Sequence, residues 1–196
     1  MNIEKLIQVV GYVLKKYDNH KENFTKIIKL LYLADRKSLE ESGYSITEDS
    51  YVSMKNGPVL SGLYDLIKNR YKDKAVQYYW NSKFATENYD LLQICSFIST
   101  GELSKSDMDI LDSVDERFHS VPYPRMIDFV HDPRNCPEWK DTQSSIFLSE
   151  SEILSHLGFS KEEIEYLEDE KKSYAAEKRM LDSISEYSDE QAVENA

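Results

Sequence analysis

Four side chains of metal-binding type fall within eight positions of this 196-residue chain: His131, Asp132, Cys136 and Glu138. Imidazole, thiolate and carboxylate groups at that density suggest zinc, or a zinc-bound water used as a nucleophile. The spacing argues against it. It matches neither a Cys-x-x-Cys pair nor a His-Glu-x-x-His turn. Pro133 and Pro137 also make the segment an irregular loop, where polar residues are ordinary. Nucleophile chemistry has no better support: there is no Gly-x-Ser-x-Gly elbow, and no Cys–His pair stands out among Cys95, Cys136 and the four scattered histidines. Acid pairs such as Glu40-Glu41 and Glu162-Glu163 lie in charge-rich helical contexts where solvation accounts for them. No catalytic residue, metal ligand or cofactor is expected from these residues, and the protein is expected not to be an enzyme.

Phosphate binding is the remaining chemistry, suggested by "SMKNGPVLSGLYDLI" at Ser53–Ile67. A glycine turn that opens a helix can cradle an anion. Here the full phosphate-loop pattern is missing, Lys55 precedes the glycine instead of following it, and Pro58 removes an amide donor. The stretch is expected to be structural. Gly57 supplies a positive φ and Pro58 sits in a first helical turn, so together they make a loop-to-helix corner.

The elements that must position these residues follow from periodicity. Apolar residues at Ile3, Leu6, Ile7, Val10, Val13, Leu14 and Tyr17 mark one face of a first helix. "DNHKEN" is a polar break. Phe24, Ile27, Ile28, Leu31 and Ala34 mark a second helix ending near Gly43, and Leu30 and Leu33 widen its apolar surface, so it should be central. A short strand is expected at Tyr51–Met54, and then a third helix bearing Leu60, Leu63, Tyr64, Ile67 and Tyr71. "VQYYW", "KFAT" and "YDLLQICSF" are rich in β-branched and aromatic residues and read as a small antiparallel β element, though the last could equally begin a helix.

Ser104, Ser149 and Ser160 each stand three residues before an acid and just after an apolar residue. That layout is a capping box with a hydrophobic staple, and it places helix starts near 105, 150 and 161. A short helix is expected over Arg125–His131, stopped by Asp132-Pro133. The last helix should run from Lys161 to about Ser185 with Leu167, Tyr174, Leu181 and Ile184 on its apolar side, and "SDEQAVENA" should fray. The expected fold is mainly α (α+β): a helical core over 1–148 with a small antiparallel β element, then acidic C-terminal helices over 149–196.

Charge bounds the partners. The net charge is −12; residues 149–196 hold 14 acids and 5 bases, while residues 1–148 hold 22 and 19. A field of that sign repels nucleic-acid backbones and favours basic protein partners. No apolar run reaches the length of a membrane span, "MNIEKLIQVV" lacks a signal-peptide pattern, and two isolated cysteines are not a secreted disulfide framework. A cytoplasmic protein without a membrane partner is expected. The 14 tyrosines suit interfaces as well as core edges.

One stretch carries a resemblance. "IIKLLYLADRKSLEESGYSITEDSYVSMKNGPVLSGLYDLIK" is similar to the Panacea domain, also called the SocA-like antitoxin domain. The likeness lies in the run Lys29 to Asp35, Gly43 with Tyr44, Gly57-Pro58-Val59 and Tyr64, together with the Leu103-Ser104 helix start. It implies a phage- or toxin–antitoxin-associated protein that neutralises a cognate toxin by direct binding, the toxin being encoded by an adjacent gene. An alternative role is an adaptor that delivers a bound protein to a host protease. The expected contact surface is Asp35, Arg36, Tyr44, Tyr51, Met54, Lys55, Asn56 and Tyr64.

Overall fold

A computed structural model describes the backbone of residues 1–194, and side chains through Glu177 together with that of Met180. The chain divides into two compact units, Met1–His156 and Leu157–Ala196. Among the described residues it is 54% helical with two small antiparallel sheets and no barrel.

The first unit opens with α1 (Ile3–Leu14), whose start is held by Asn2 accepting from the Lys5 amide. A 3-10 turn leads to β1 (Lys21–Asn23), so the "polar break" hides a strand. Next comes α2 (Phe24–Ser42), capped by the Asn23 side chain and closed by Gly43 at φ +78°. Its residues are buried on several sides, including Ile27, Leu30, Leu31 and Ala34. It packs against β1 and, among the later helices of this unit, most closely against those other than α4 (Lys74–Asn81), as the central helix was expected to do.

After α2, β2 (Tyr51–Met54) and β3 (Gly57–Leu60) form a hairpin whose tip is Lys55-Asn56, with Met54 opposite Gly57. The loop-to-helix corner is therefore corrected. Gly57 has the positive φ expected, +97°, but it closes a hairpin. Pro58 pairs with Ser53 inside a strand, and the helix α3 begins only at Ser61 (Ser61–Ile67). Proline is tolerated there because β3 is an edge strand, in the order β3-β2-β6 with β6 at Ile146–Leu148. Tyr51 and Ser53 of β2 face Leu148 and Ile146 of β6.

A second correction concerns "VQYYW", which is helical in α4, not a strand. Asp73 caps the Ala75 and Val76 amides, and Gln77 and Trp80, three residues apart, are its buried face. The other two segments are β4 (Phe84–Glu87) and β5 (Asp90–Gln93), joined through Asn88 at φ 55° and completed by β1 in the order β1-β5-β4.

The capping boxes place α5 (Lys105–Phe118) and α7 (Glu150–His156) at their expected starts, with α6 (Tyr123–His131) between them. Ile110, Leu111, Val114 and Phe118 of α5, Met126 and Val130 of α6, and Ile153 and Leu154 of α7 are buried in this unit. The second unit is built on α8 (Lys161–Glu194), whose start carries the reciprocal Ser160–Glu163 bonds. The helix continues past Ser185. The side chains of Leu181 and Ile184, and the final two residues of the expected frayed end, lie outside the described residues.

Candidate functional site

Lys29, Tyr32 and Arg36 recur at the spacing of one face of α2, with Asp35 beside them. All four are polar, and a helix buried on several sides must find partners for them or leave costly unmet groups. Asp35 is fully buried and accepts from the Ile46 and Thr47 amides at 3.0 Å, the Thr47 hydroxyl, and the Tyr51 hydroxyl at 3.0 Å. Burial pushes its pKa up to about 7, against the downward pull of those bonds. The carboxylate ties the loop after α2 to strand β2. Within that loop Asp49 accepts from the Gly62 and Leu63 amides and so starts α3.

Tyr32 and Arg36 meet Glu138, which has no solvent exposure. The Tyr32 hydroxyl and the Arg36 Nε, at 2.8 Å, both donate to its Oε1. Lys29 donates from Nζ to the Pro58 carbonyl at 2.6 Å, and burial holds its amine down to about 7. Trp139 donates from its indole to the Met54 carbonyl and stacks on His131 with ring centroids 3.9 Å apart. Segment 131–139 is thereby locked over α2 and the hairpin. Its four ligand-type residues serve different ends: His131 stacks, Asp132 accepts from Arg134, Cys136 is buried with its thiol pushed up to about 12 by burial, and Glu138 pairs with Arg36. Among the described residues no group of three His, Cys, Asp or Glu side chains could hold a metal ion.

With Asp35 and Tyr51 spent inside the fold, the remaining contact residues part company. Met54, Lys55, Asn56 and Tyr64 line one cleft of about 530 Å³. Its walls are the start of α2, the hairpin tip, α3, the β4–β5 turn and α6, and sequence reasoning missed Lys29, Lys68, Tyr89 and Tyr123 among them. Lys68 lies with its ammonium 3.9 Å from the Phe24 ring centroid and 5.8 Å from that of Tyr64. Tyr89 and Tyr123 are 70% and 44% exposed. Arg36 lines a separate cleft of about 380 Å³ between α2 and α5. Tyr44, just after the Gly43 cap, is exposed and lines neither cleft.

A family model described as antitoxin SocA-like, Panacea domain, matches residues 27–140, more than half of the chain. The chain belongs to this family. The description associates the Panacea domain with toxin–antitoxin systems. The matched span starts inside α2 and ends just past Trp139, so it holds Lys29, Tyr32, Asp35 and Arg36 together with the hairpin and the Glu138 segment that answer them. No curated protein and no solved structure matches the chain. No helix among the described residues is long and apolar enough to cross a membrane. Within the Panacea span, Tyr89 and Tyr123 carried no local signal, because their meeting with Tyr64 depends on where the β4–β5 hairpin and α6 dock.

Proposed function

We propose that this protein is an antitoxin-type binding protein that neutralises a toxin protein by direct contact, without catalysis. The observation that carries the reading is the convergence of the hairpin tip, Met54-Lys55-Asn56, with Tyr64, Tyr89 and Tyr123 around one cleft. Tyrosine is a residue type that dominates binding energy when it anchors an interface. The hairpin behind the tip is held by buried polar bonds, so the surface is pre-organised and loses little entropy on binding. Family membership supports a toxin as the class of partner, and in this reading the buried Lys29, Asp35 and Glu138 contacts serve to present this face.

The test is co-expression with the protein encoded next to it. The expected result is growth arrest by the neighbour alone, rescue by this chain, and a complex that co-purifies. Substituting the exposed rim, Asn56→Arg with Tyr123→Arg, should abolish rescue and leave the melting temperature unchanged. A neighbour that is harmless alone, or that stays toxic and unbound, defeats the reading. A partner half-life that drops only when a host protease is present would instead mark delivery for degradation.

A further inference from the structure

The cleft is unusual in its charge. Lys29, Lys55 and Lys68 line it, and no aspartate or glutamate does. The chain as a whole has 36 acids to 24 bases, so carboxylates are plentiful. Elsewhere in the same unit, several lysines partly or fully withdrawn from water are answered by one, Lys5 by Asp107, Lys16 by Asp112 and Lys26 by Glu22, while Lys83 lies over the Tyr79 ring. The second cleft differs in having a carboxylate, Glu40, in its lining and three of its cations paired, Arg36 with Glu138, Lys37 with Glu41 and Arg134 with Asp132, while Arg117 lies over the Phe118 and Phe129 rings. Among the described residues, the three cleft lysines form no ion pair. Lys29 has only the Pro58 carbonyl, and Lys68 only aromatic faces.

Withdrawing an ammonium from water without a counter-charge is costly. Lys29 is buried and Lys68 half-buried without a carboxylate partner, Lys55 is exposed beside them at the hairpin tip, and a counter-charge for this opening is left to be supplied from outside. The N-terminal residues Phe24 and Thr25 of the 19-residue α2 also line the cleft, and a helix start adds positive potential. The volume lies within the range of roughly 300–1,000 Å³ typical of pockets that enclose a ligand group. Residues 1–148, which hold the cleft, have the opposite net sign, with 22 acids to 19 bases, and the chain as a whole is at −12. A phosphodiester strand would meet that field along its length, whereas an isolated carboxylate would meet only the cleft.

We propose that the cleft receives an acidic peptide segment of the protein partner, its carboxylate placed among Lys29, Lys55 and Lys68 and an adjacent aromatic side chain laid on Phe24, Tyr89 and Tyr123. This rests on the binding reading above and names the chemistry of what is bound. A carboxylate there also restores the proton that burial weakens on Lys29.

The experiment is fluorescence anisotropy on the full chain with a labelled six-residue peptide of alternating glutamate and phenylalanine, against the same peptide with glutamine for glutamate. The glutamate peptide is expected to bind roughly tenfold tighter, the effect of one charge-assisted hydrogen bond. In the Lys55→Gln, Lys68→Gln double variant the preference should vanish. Lys55→Gln alone, at the exposed hairpin tip and remote from folding, should weaken it partway. Equal binding of the two peptides overturns the proposal. So does a preference that survives in a folded double variant, or tighter binding of a single-stranded oligonucleotide. The two readings fail separately. If the double variant still neutralises the toxin, the charged cleft is wrong and the antitoxin reading stands. If the wild-type chain selects the glutamate peptide but binds no toxin, the reverse holds.

Discussion

Replacing Gly57 by alanine tests whether the hairpin is framed as described. Two costs add at that position. At φ +97° an L-residue meets its own backbone, a penalty of roughly 1–2 kcal/mol. A Cβ built there would lie 2.5 Å from Cγ2 of Val130 and 3.1 Å from Nζ of Lys29. Val130 is fully buried on α6 and cannot swing away, so overpacking adds roughly 1–3 kcal/mol. The stiffer unfolded chain offsets about 0.4–1 kcal/mol. The net loss is about 1–4.6 kcal/mol, and for a chain of this size each kcal/mol lowers the melting temperature by roughly 2–4 °C. Gly158 is the internal control. It has the same φ of +97° with nothing within 4 Å, so Gly158→Ala incurs only the backbone term. Thermal melts of the two variants by circular dichroism check the reasoning. A drop at Gly57 no larger than the drop at Gly158 would refute the close packing of the hairpin against α6.

Three further outcomes are expected. Glu138→Ala should cost about 3 kcal/mol, because it leaves the Arg36 guanidinium and Tyr32 hydroxyl unmet inside the fold; urea denaturation should show the double variant Arg36→Met, Glu138→Leu recovering part of that loss. For Lys29 the sign follows from its lowered pKa. Between about 7 in the folded state and the ordinary 10.5, the unfolded chain holds more protons at this amine, so its contribution to stability should climb with pH across that window, against the opposite slope that the raised Cys136 thiol adds above about 9. Lys29→Met should remove the climb, and parallel denaturation midpoints for the two proteins at pH 7, 8.5 and 10 would contradict the amine's burial. Ser104→Ala should cost about 1 kcal/mol by removing the α5 cap, read as a shift in denaturation midpoint, while Ser106→Ala on the exposed face should be neutral.

Local signals were reliable wherever a neighbour within four residues decides the structure. Ser104, Ser149 and Ser160 announce α5, α7 and α8 because each cap bonds to an amide three residues on. The apolar spacing in α1 and α2 is legible for the same reason. "VQYYW" misled because its β-branched and aromatic content competes with a cap, Asp73, that lies outside the run. β1 and β6 were invisible: each has three residues, and each is a strand only because β5 or β2 lies alongside. Gly57-Pro58 announced a positive φ correctly and its destination wrongly, since hairpin and helix start both use a glycine before a fixed proline, and only the pairing of Pro58 with Ser53 tells them apart.

The Lys29–Arg36 run shows where the two kinds of information divide. By itself the sequence determined the helix, its central position and its likeness to a family, because these depend on residue order along one element. It also determined that Gly57 needs a left-handed backbone and that no compact ligand motif is present. Only the tertiary structure decided that Asp35 and Tyr51 are interior supports while Met54, Lys55, Asn56 and Tyr64 share a cleft. A polar residue on a helix looks the same in sequence whether it meets water, a buried carbonyl or a partner. What separates Asp35 from Lys55 is the presence of Ile46, Thr47 and Tyr51 around one side chain and of no carboxylate around the other. Those neighbours come from segments that chain order does not place together.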